Sequence, residues 1–160
     1  MLDKTGGHDG KAAASGNRDR RSGSHGTVLL AIATEDPDRT AQFCVDVFEF
    51  KRVREARGIW GHGHILSDGT INLAILKFVT DAAAGVEKGV GFRGLHHIGF
   101  EVDDVDGTAA RVEAAGASAR SDIDDALGIP HDGPIKGEFK YEGPDGVVFD
   151  LSQPGVWQLS

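Results

Sequence analysis

The chain of 160 residues carries one cysteine and a formal net charge of −8. One cysteine excludes an internal disulfide framework and a multi-cysteine zinc site, and no apolar run approaches the length needed to cross a bilayer. Residues 1–26 carry 5 Lys/Arg against 3 Asp, whereas the remainder carries 12 Lys/Arg against 22 Asp/Glu. An acidic body argues against nucleic acid and membranes as partners, so we expect one compact cytoplasmic protein.

The basic N-terminal segment, residues 1–26, predicts a disordered leader. It consists mainly of Gly, Ser, Ala, Asn, Lys and Arg, without an aromatic or a β-branched apolar residue. A segment of this composition buries too little apolar surface to offset the entropy of ordering it. The folded protein is therefore expected to begin near residue 27.

Residues 27–78 predict a first βαβββ module. The stretch "TVLLAIAT" is typical of a buried strand, and a helix follows with Asp36 as its N-cap and Pro37 at its first position. Three further strands are predicted in "KRVREAR", "GHGHILS" and "TINLAILKF". A turn at 67–69 joins the last two of them into a hairpin.

A second βαβββ module is predicted over residues 94–160, after a connector at 79–93 that is rich in Gly and Ala. Its first strand is "GLHHIGFEVDD", and Asp104 caps a helix that ends at Gly116. The stretch "SARSDI" is read as a short strand and "DDALGIPHDGP" as a loop. The strands "IKGEFKYE" and "VVFDLS" complete the module.

The two halves form an internal repeat. Residues 29–41 align with residues 97–109 without a gap and share an Asp, at 36 and 104, and a Thr-Ala pair. Two equivalent units, each with a helix on its back, would enclose a cleft between their free faces. We therefore predict an α+β fold in which tandem βαβββ modules form a cupped mixed β-sheet with helices on the outside.

Strand alternation predicts which side chains face this cleft. In "GLHHIGFEVDD", His96 shares a face with bulky apolar side chains and should pack against the helix, while His97 points into the cleft. Gly99, on the same face as His97, leaves room for a ligand. The alternation in "VVFDLS" sends Asp150 into the cleft as well. An imidazole and a carboxylate that face one cavity from two strands are suited to a divalent metal.

The first module offers different side chains at the corresponding positions. Leu29 corresponds to the cleft histidine of the second module, and Asn72 corresponds to the cleft carboxylate. Both are therefore expected to line the substrate pocket. These departures leave His97 and Asp150 as two protein ligands, whereas three are normally needed to hold a catalytic metal.

Two more histidines, His62 and His64, could supply the missing ligands. They are two residues apart in "GHGH" and project to one side of a strand. With His97 and Asp150, either would make a site of two histidines and one carboxylate. The flanking glycines equally suggest an edge strand whose histidines face water.

Three further residues are candidates for roles in the cleft. Glu101 lies on the cleft face of the same strand and is a candidate general base if burial raises its pKa. Tyr141 precedes the last turn and could donate a hydrogen bond to a bound oxyanion. His131 lies on the long loop and could cover the mouth, although a solvated loop residue is the alternative.

The sequence resembles the vicinal oxygen chelate superfamily, which includes glyoxalase I, methylmalonyl-CoA epimerase, extradiol dioxygenases and bleomycin resistance proteins. The resemblance covers residues 27–157 and rests on "LLAIATEDPDRTAQFCVDVFEF", "GLHHIGFEVDDVDGTAARVEAAGA" and "KYEGPDGVVFDLSQPGVW". It implies paired βαβββ modules whose cup commonly binds a divalent metal. The family's ligand positions match His97 and Asp150 in the second module, but in the first module they fall on Leu29 and on Asn72 or Leu73, which depart from the family's pattern.

Three functions remain open on these residues. The first is a metal-dependent enzyme, using Fe, Mn, Zn or Ni, that acts as a lyase, an isomerase or an extradiol dioxygenase on a small oxygen-rich substrate. The second is a metal-free protein that binds and sequesters a small molecule. The third is a partner-binding protein that uses Trp60 and the terminal "PGVWQLS". Pairing of modules between chains would make a homodimer.

Overall fold

The structure, a computed structural model, describes residues 25–130 and 137–157. Most of the predicted leader, up to residue 24, and the predicted pocket residue His131 therefore lie outside the described residues. Within the two described ranges, no helix is both long enough and apolar enough to cross a membrane.

The described residues form eight strands and four α-helices that alternate as two successive modules. In chain order they are β1 (His25–Ala33), α1 (Pro37–Phe48), β2 (Lys51–Gly58), β3 (Gly61–Ser67), β4 (Ile71–Phe78), α2 (Asp81–Ala84), β5 (Gly94–Val102), α3 (Val105–Ala114), β6 (Ser118–Ala119), α4 (Ser121–Leu127), β7 (Glu138–Glu142) and β8 (Val148–Ser152).

All eight strands belong to one mixed sheet with the order β2-β3-β4-β1-β5-β8-β7-β6. Strand β4 is parallel to β1 and β8 is parallel to β5, so the two halves repeat the same arrangement. Strands β1 and β5 are antiparallel and join the two halves within one chain. The predicted α+β fold with a cupped mixed sheet is confirmed.

The two longest helices begin where the sequence predicts and lie on the outer face of the sheet. The Asp36 side chain accepts a hydrogen bond from the backbone N–H of Arg39 at 3.0 Å, and Asp104 accepts one from Gly107 at 2.9 Å. Each cap satisfies a backbone donor that the first helical turn leaves free. Helix α1 packs on a cluster formed by Ala41, Cys44, Phe50, Leu66, Leu73 and Ile75.

The segment after α3 differs from the prediction. Strand β6 is limited to Ser118–Ala119. The residues that follow, predicted as the end of this strand and the start of a loop, instead form helix α4, Ser121–Leu127. Acidic Asp122 and Asp124 in its first turn favour a helix N-terminus, and Gly128 ends it with φ of 74°. Helices α2 and α4 pack against each other over the inner face of the sheet, where they cover part of the cup.

One arginine holds this cover in place. The guanidinium of Arg120 hydrogen-bonds to both carboxylate oxygens of Glu87 at 3.0 Å, to Asp122 at 2.9 Å and to Glu142 at 2.9 Å. These three carboxylates belong to the connector between the modules, to α4 and to β7. The planar guanidinium thus ties three separate segments together above the inner face.

Strand β3 is an interior strand between β2 and β4, which corrects the alternative reading of an edge strand. Its glycines permit close approach of the neighbouring backbone, because a Cβ at Gly63 would lie 1.9 Å from the carbonyl oxygen of Ile75.

We expect Gly63→Ala to lower the free energy of unfolding by about 1–3 kcal/mol, as overpacking does. Urea denaturation measures the change. Gly91→Ala is the control, since a Cβ there meets nothing within 4 Å.

Candidate functional site

The inner face of the sheet encloses a cavity of about 350 Å³. Its walls are mainly apolar and include Leu29, Trp60, Ile65, Ala74, Leu76, Phe78, Leu127 and Trp157. Among the described residues, the charged side chains and the histidine that line it are Arg54, Arg57, His97, Glu138 and Lys140. A concave, largely apolar cavity with a few converging polar groups is the usual form of a small-molecule site. The predicted pocket residue Leu29 lines it.

The structure brings His97 and Asp150 together at the base of this cavity. Their strands, β5 and β8, are parallel neighbours, with Gly99 of β5 opposite Asp150. The Nε2 atom of His97 lies 3.2 Å from Oδ2 of Asp150. Asp150 is fully buried and His97 is 5% exposed. Sequence alternation thus placed both side chains on the inner face.

A buried lysine completes the group. Nζ of Lys140 lies 2.7 Å from Oδ1 and 2.9 Å from Oδ2 of Asp150, so the ammonium engages both carboxylate oxygens. Lys140 is 3% exposed and stands on the inner face of β7, two residues after Glu138. The sequence reading overlooked it. The signal was available, because Phe139 and Tyr141 point outward and alternation sends Lys140 inward.

Charged neighbours shift the pKa values of Asp150 and Lys140 in the opposite direction to burial, and their effect is the larger one. Burial alone would raise the pKa of Asp150, but the charges of His97 and Lys140 and their hydrogen bonds hold it below its usual range. Burial alone would lower the pKa of Lys140, but Asp150 and Glu138 raise it. Burial and the neighbouring charge of Asp150 raise the pKa of Glu138. The pair is therefore ionised within the protein interior.

His96 lies on the inner side of the sheet with His97, which corrects the prediction that it packs against the helix on the back of its module. Ala31 pairs with His97 and Ile32 pairs with Leu95, so His96 is the extra residue of a β-bulge. A bulge breaks strict alternation and turns both rings inward. The His96 ring lies 4.6 Å from the ring of Phe78, between ring centroids.

The hydrogen bonds around the two histidines define where the protons lie. Nε2 of His96 is 2.8 Å from the carbonyl oxygen of Ala84, which can only accept, so His96 carries its proton there. Burial and the charge of His97 lower the pKa of His96 to about 3. His96 is therefore neutral, and its Nδ1 accepts from Nδ1–H of His97 at 2.8 Å. The other nitrogen of His97, Nε2, faces the carboxylate of Asp150.

The side chains at the predicted metal site do not fit a divalent ion. Both oxygens of Asp150 are engaged by the ammonium of Lys140, so this carboxylate could coordinate a metal only if the lysine left it. Among the described residues, no group of three or more His, Cys, Asp or Glu side chains could hold a metal.

The proposed replacement ligands lie on the other face of the sheet, which corrects the expectation that they reach the cavity. Nε2 of His64 is 2.6 Å from Oδ1 of Asp38, at the start of α1. The hydrogen bond from His64 lowers the pKa of Asp38, and the charge of His62 contributes in the same direction. Ile65, which follows His64, points inward instead. Strand β3 therefore presents His62 and His64 to the α1 side.

The two predicted catalytic residues lie outside the cavity. Tyr141 faces the α3 side and stacks on Phe149, with ring centroids 5.9 Å apart, and burial raises the pKa of its phenol. Glu101 is on the inner face, but its Oε2 accepts the backbone N–H of Gly155 at 3.0 Å. The structure therefore does not bring Tyr141 to the cup, and it gives Glu101 a partner in the C-terminal segment.

The C-terminal segment fills the space that Gly99 was expected to leave for a ligand. A Cβ on Gly99 would lie 2.3 Å from the indole ring of Trp157, so the ring packs directly on the glycine. The indole N–H of Trp157 donates to Glu138, and its carbonyl accepts from Nδ2 of Asn72 at 3.2 Å. Asn72, another predicted pocket residue, is fully buried beneath this segment. Trp157 thus occupies part of the cup, and the cavity of about 350 Å³ is the space that remains open beside it.

Comparison with known families gives a match over most of the chain. The family model described as the Glyoxalase/Bleomycin resistance protein/Dioxygenase superfamily matches residues 26–151. No curated protein matches the chain significantly.

Several solved structures share the fold. A methylmalonyl-CoA epimerase in complex with methylmalonyl-CoA and NH4+ is 22% identical, and the match covers 82% of this chain and 96% of that chain with a TM-score of 0.60. A Streptomyces coelicolor methylmalonyl-CoA epimerase variant in complex with 2-nitronate-propionyl-CoA is 21% identical over 82% and 99%, with a TM-score of 0.61. A hypothetical protein from Bacillus halodurans C-125 is 16% identical over 83% and 95%, with a TM-score of 0.60.

Proposed function

Because the chain belongs to the Glyoxalase/Bleomycin resistance protein/Dioxygenase superfamily, we propose that it binds a small organic molecule in its cup without a metal ion. One observation carries the proposal: the ammonium of Lys140 engages both oxygens of Asp150, the carboxylate at the family's metal-ligand position. The superfamily commonly uses a divalent metal in this cup. Here a side chain of the protein supplies the positive charge instead.

The stability of the buried group supports this reading. A metal would have to displace Lys140 from Asp150, leaving a buried ammonium without the carboxylate that engages it through two hydrogen bonds. A buried charge without its partner is strongly unfavourable. The protein interior therefore favours the lysine over an exogenous cation.

The lining of the cavity supports an organic ligand. Aromatic and aliphatic side chains form most of the wall, and burial of their surface would drive association. Nζ of Lys140 has three protons, of which Asp150 accepts two. Among the described residues the third has no acceptor, so a ligand oxygen can be hydrogen-bonded at the base. Two of the similar structures are complexes with coenzyme A esters, which is consistent with a small-molecule role for the fold.

The second candidate function is a metal-dependent reaction of lyase, isomerase or dioxygenase type. The observation that favours it is the separation of 3.2 Å between His97 and Asp150, two side chains at the family's ligand positions. It requires Lys140 to leave the carboxylate. Metal binding and the predicted homodimer stay predictions for this chain.

Titration calorimetry with naphthalene carboxamide, a neutral bicyclic probe, tests the proposal. We expect chelator-treated protein to bind one equivalent with a dissociation constant of roughly 0.01–1 mM, as a ligand of this size allows. Added Mn²⁺, Ni²⁺ or Zn²⁺ should leave this constant unchanged. Ala74→Phe should abolish binding, because Ala74 lines the cavity and a phenyl ring would fill it.

Ala114→Phe is the matched control, since it adds the same ring at an exposed position of α3. It should bind the probe as the unsubstituted protein does. Binding that appears only after a divalent metal is added would contradict the proposal in favour of the metal-dependent candidate. Failure of the metal-treated and the chelator-treated protein to bind would overturn both readings of the cup.

A further inference from the structure

We infer that the cup selects organic anions, specifically a ring-bearing carboxylate, and that Arg54 is the residue that determines this selectivity. The inference rests on the proposed binding function and names its ligand class. Arg54 lies opposite Ile65 on the neighbouring strand and shares the inner face of β2 with Ala56. It is solvent-exposed and yet lines the cavity, so it stands at the rim.

The arginines on either side of it are already engaged. Nη2 of Arg52 donates to the side-chain oxygen of Gln42 at 3.2 Å, and Nε of Arg57 donates to Glu55 at 3.1 Å. Arg54 has no hydrogen bond or ion pair with any residue in the part of the chain that the structure describes. Its guanidinium is therefore available to a ligand.

The other charged residues of the cup indicate that the carboxylate of a ligand would bind at the rim, beside Arg54. At the base, Lys140 is already neutralised by Asp150, and a second carboxylate there would face the existing one. At the rim, the planar guanidinium of Arg54 matches the two oxygens of a carboxylate. The apolar body of such a ligand would lie against Trp60 and Phe78, whose rings are 6.0 Å apart. The cavity thus fits an apolar ring inside and a carboxylate outside.

Naphthalene carboxylate and its neutral isostere naphthalene carboxamide form the test pair. We expect the protein to bind the carboxylate about tenfold more tightly than the amide, the effect of a charge-assisted hydrogen bond. Arg54→Met should remove this preference by weakening binding of the carboxylate to the level of the amide, and the remaining binding of both probes verifies that the variant has a folded cup. Arg52→Met, the control on the same strand, should keep the preference. Added salt should reduce the preference.

The outcomes separate the two proposals. If the protein binds carboxylate and amide equally, or if Arg54→Met keeps the preference, the selectivity inference is wrong and the binding function stands. If neither probe binds the unsubstituted protein, the proposed function fails, and the inference fails with it. If Arg54→Met and Arg52→Met both lose the preference, the preference comes from the overall positive charge of β2. That result would overturn the role of Arg54.

Discussion

Replacing Lys140 by methionine is expected to lower the free energy of unfolding by about 3–5 kcal/mol, because it leaves a buried carboxylate without its main partner. Asp150 is fully buried and both of its oxygens accept from Nζ. His97 would keep one hydrogen bond to it, which does not replace a bidentate ammonium. Chemical denaturation at neutral pH measures the loss.

Two further variants show whether the loss comes from the broken pair. The double substitution Lys140→Met with Asp150→Leu should recover most of the stability, since apolar residues of similar volume often replace a buried ion pair without cost. Lys77→Met should lose at most about 1 kcal/mol, because its pair with Glu35 is solvent-exposed. Equal losses in Lys77→Met and Lys140→Met would contradict the expectation that breaking the buried pair costs more stability than breaking an exposed one.

Much of the architecture could be predicted because local chemistry and periodicity agree. Asp36 and Asp104 cap helices in equivalent positions of the repeat, and the structure confirms both caps. Alternation of period two also placed His97 and Asp150 on the inner face of the sheet. These features depend on neighbours in sequence, which a single chain displays directly.

The rest depends on contacts that sequence periodicity does not encode. A β-bulge adds one residue to β5, and alternation counted through it sends His96 to the wrong face. Lys140 was overlooked because a lysine is rarely buried and becomes acceptable only with Asp150, ten residues away, beside it. Trp157 covers Gly99 from a separate segment, so the glycine indicated close packing and not an open ligand position.

A histidine that stays neutral in the interior makes this protein acid-sensitive. The pKa of His96 is lowered from 6.5 to about 3, mainly by burial. Between these two values the unfolded chain binds a proton at His96 and the folded chain does not, so stability falls as the pH falls. The expected loss from this residue is about 2–3 kcal/mol between pH 7 and pH 4.5, at about 1.4 kcal/mol per pH unit below 6.5.

Replacing His96 by glutamine isolates this effect, because the amide does not titrate and can still donate to the carbonyl of Ala84. The free energy of unfolding, measured by urea at each pH, should decline less steeply with acid in His96→Gln than in the unsubstituted protein. His62→Gln, at a half-buried position of β3 on the α1 side, should keep the original pH profile. The carboxyl of Asp150 adds its own loss only as the pH falls below about 3.8, where the unfolded chain takes up a proton that the folded chain refuses. Glu138, whose pKa is raised, also titrates above that value, but it is present in both proteins. The difference in slope between them above about 3.8 therefore reports on His96, and an unchanged slope in His96→Gln would contradict its neutral state in the folded protein.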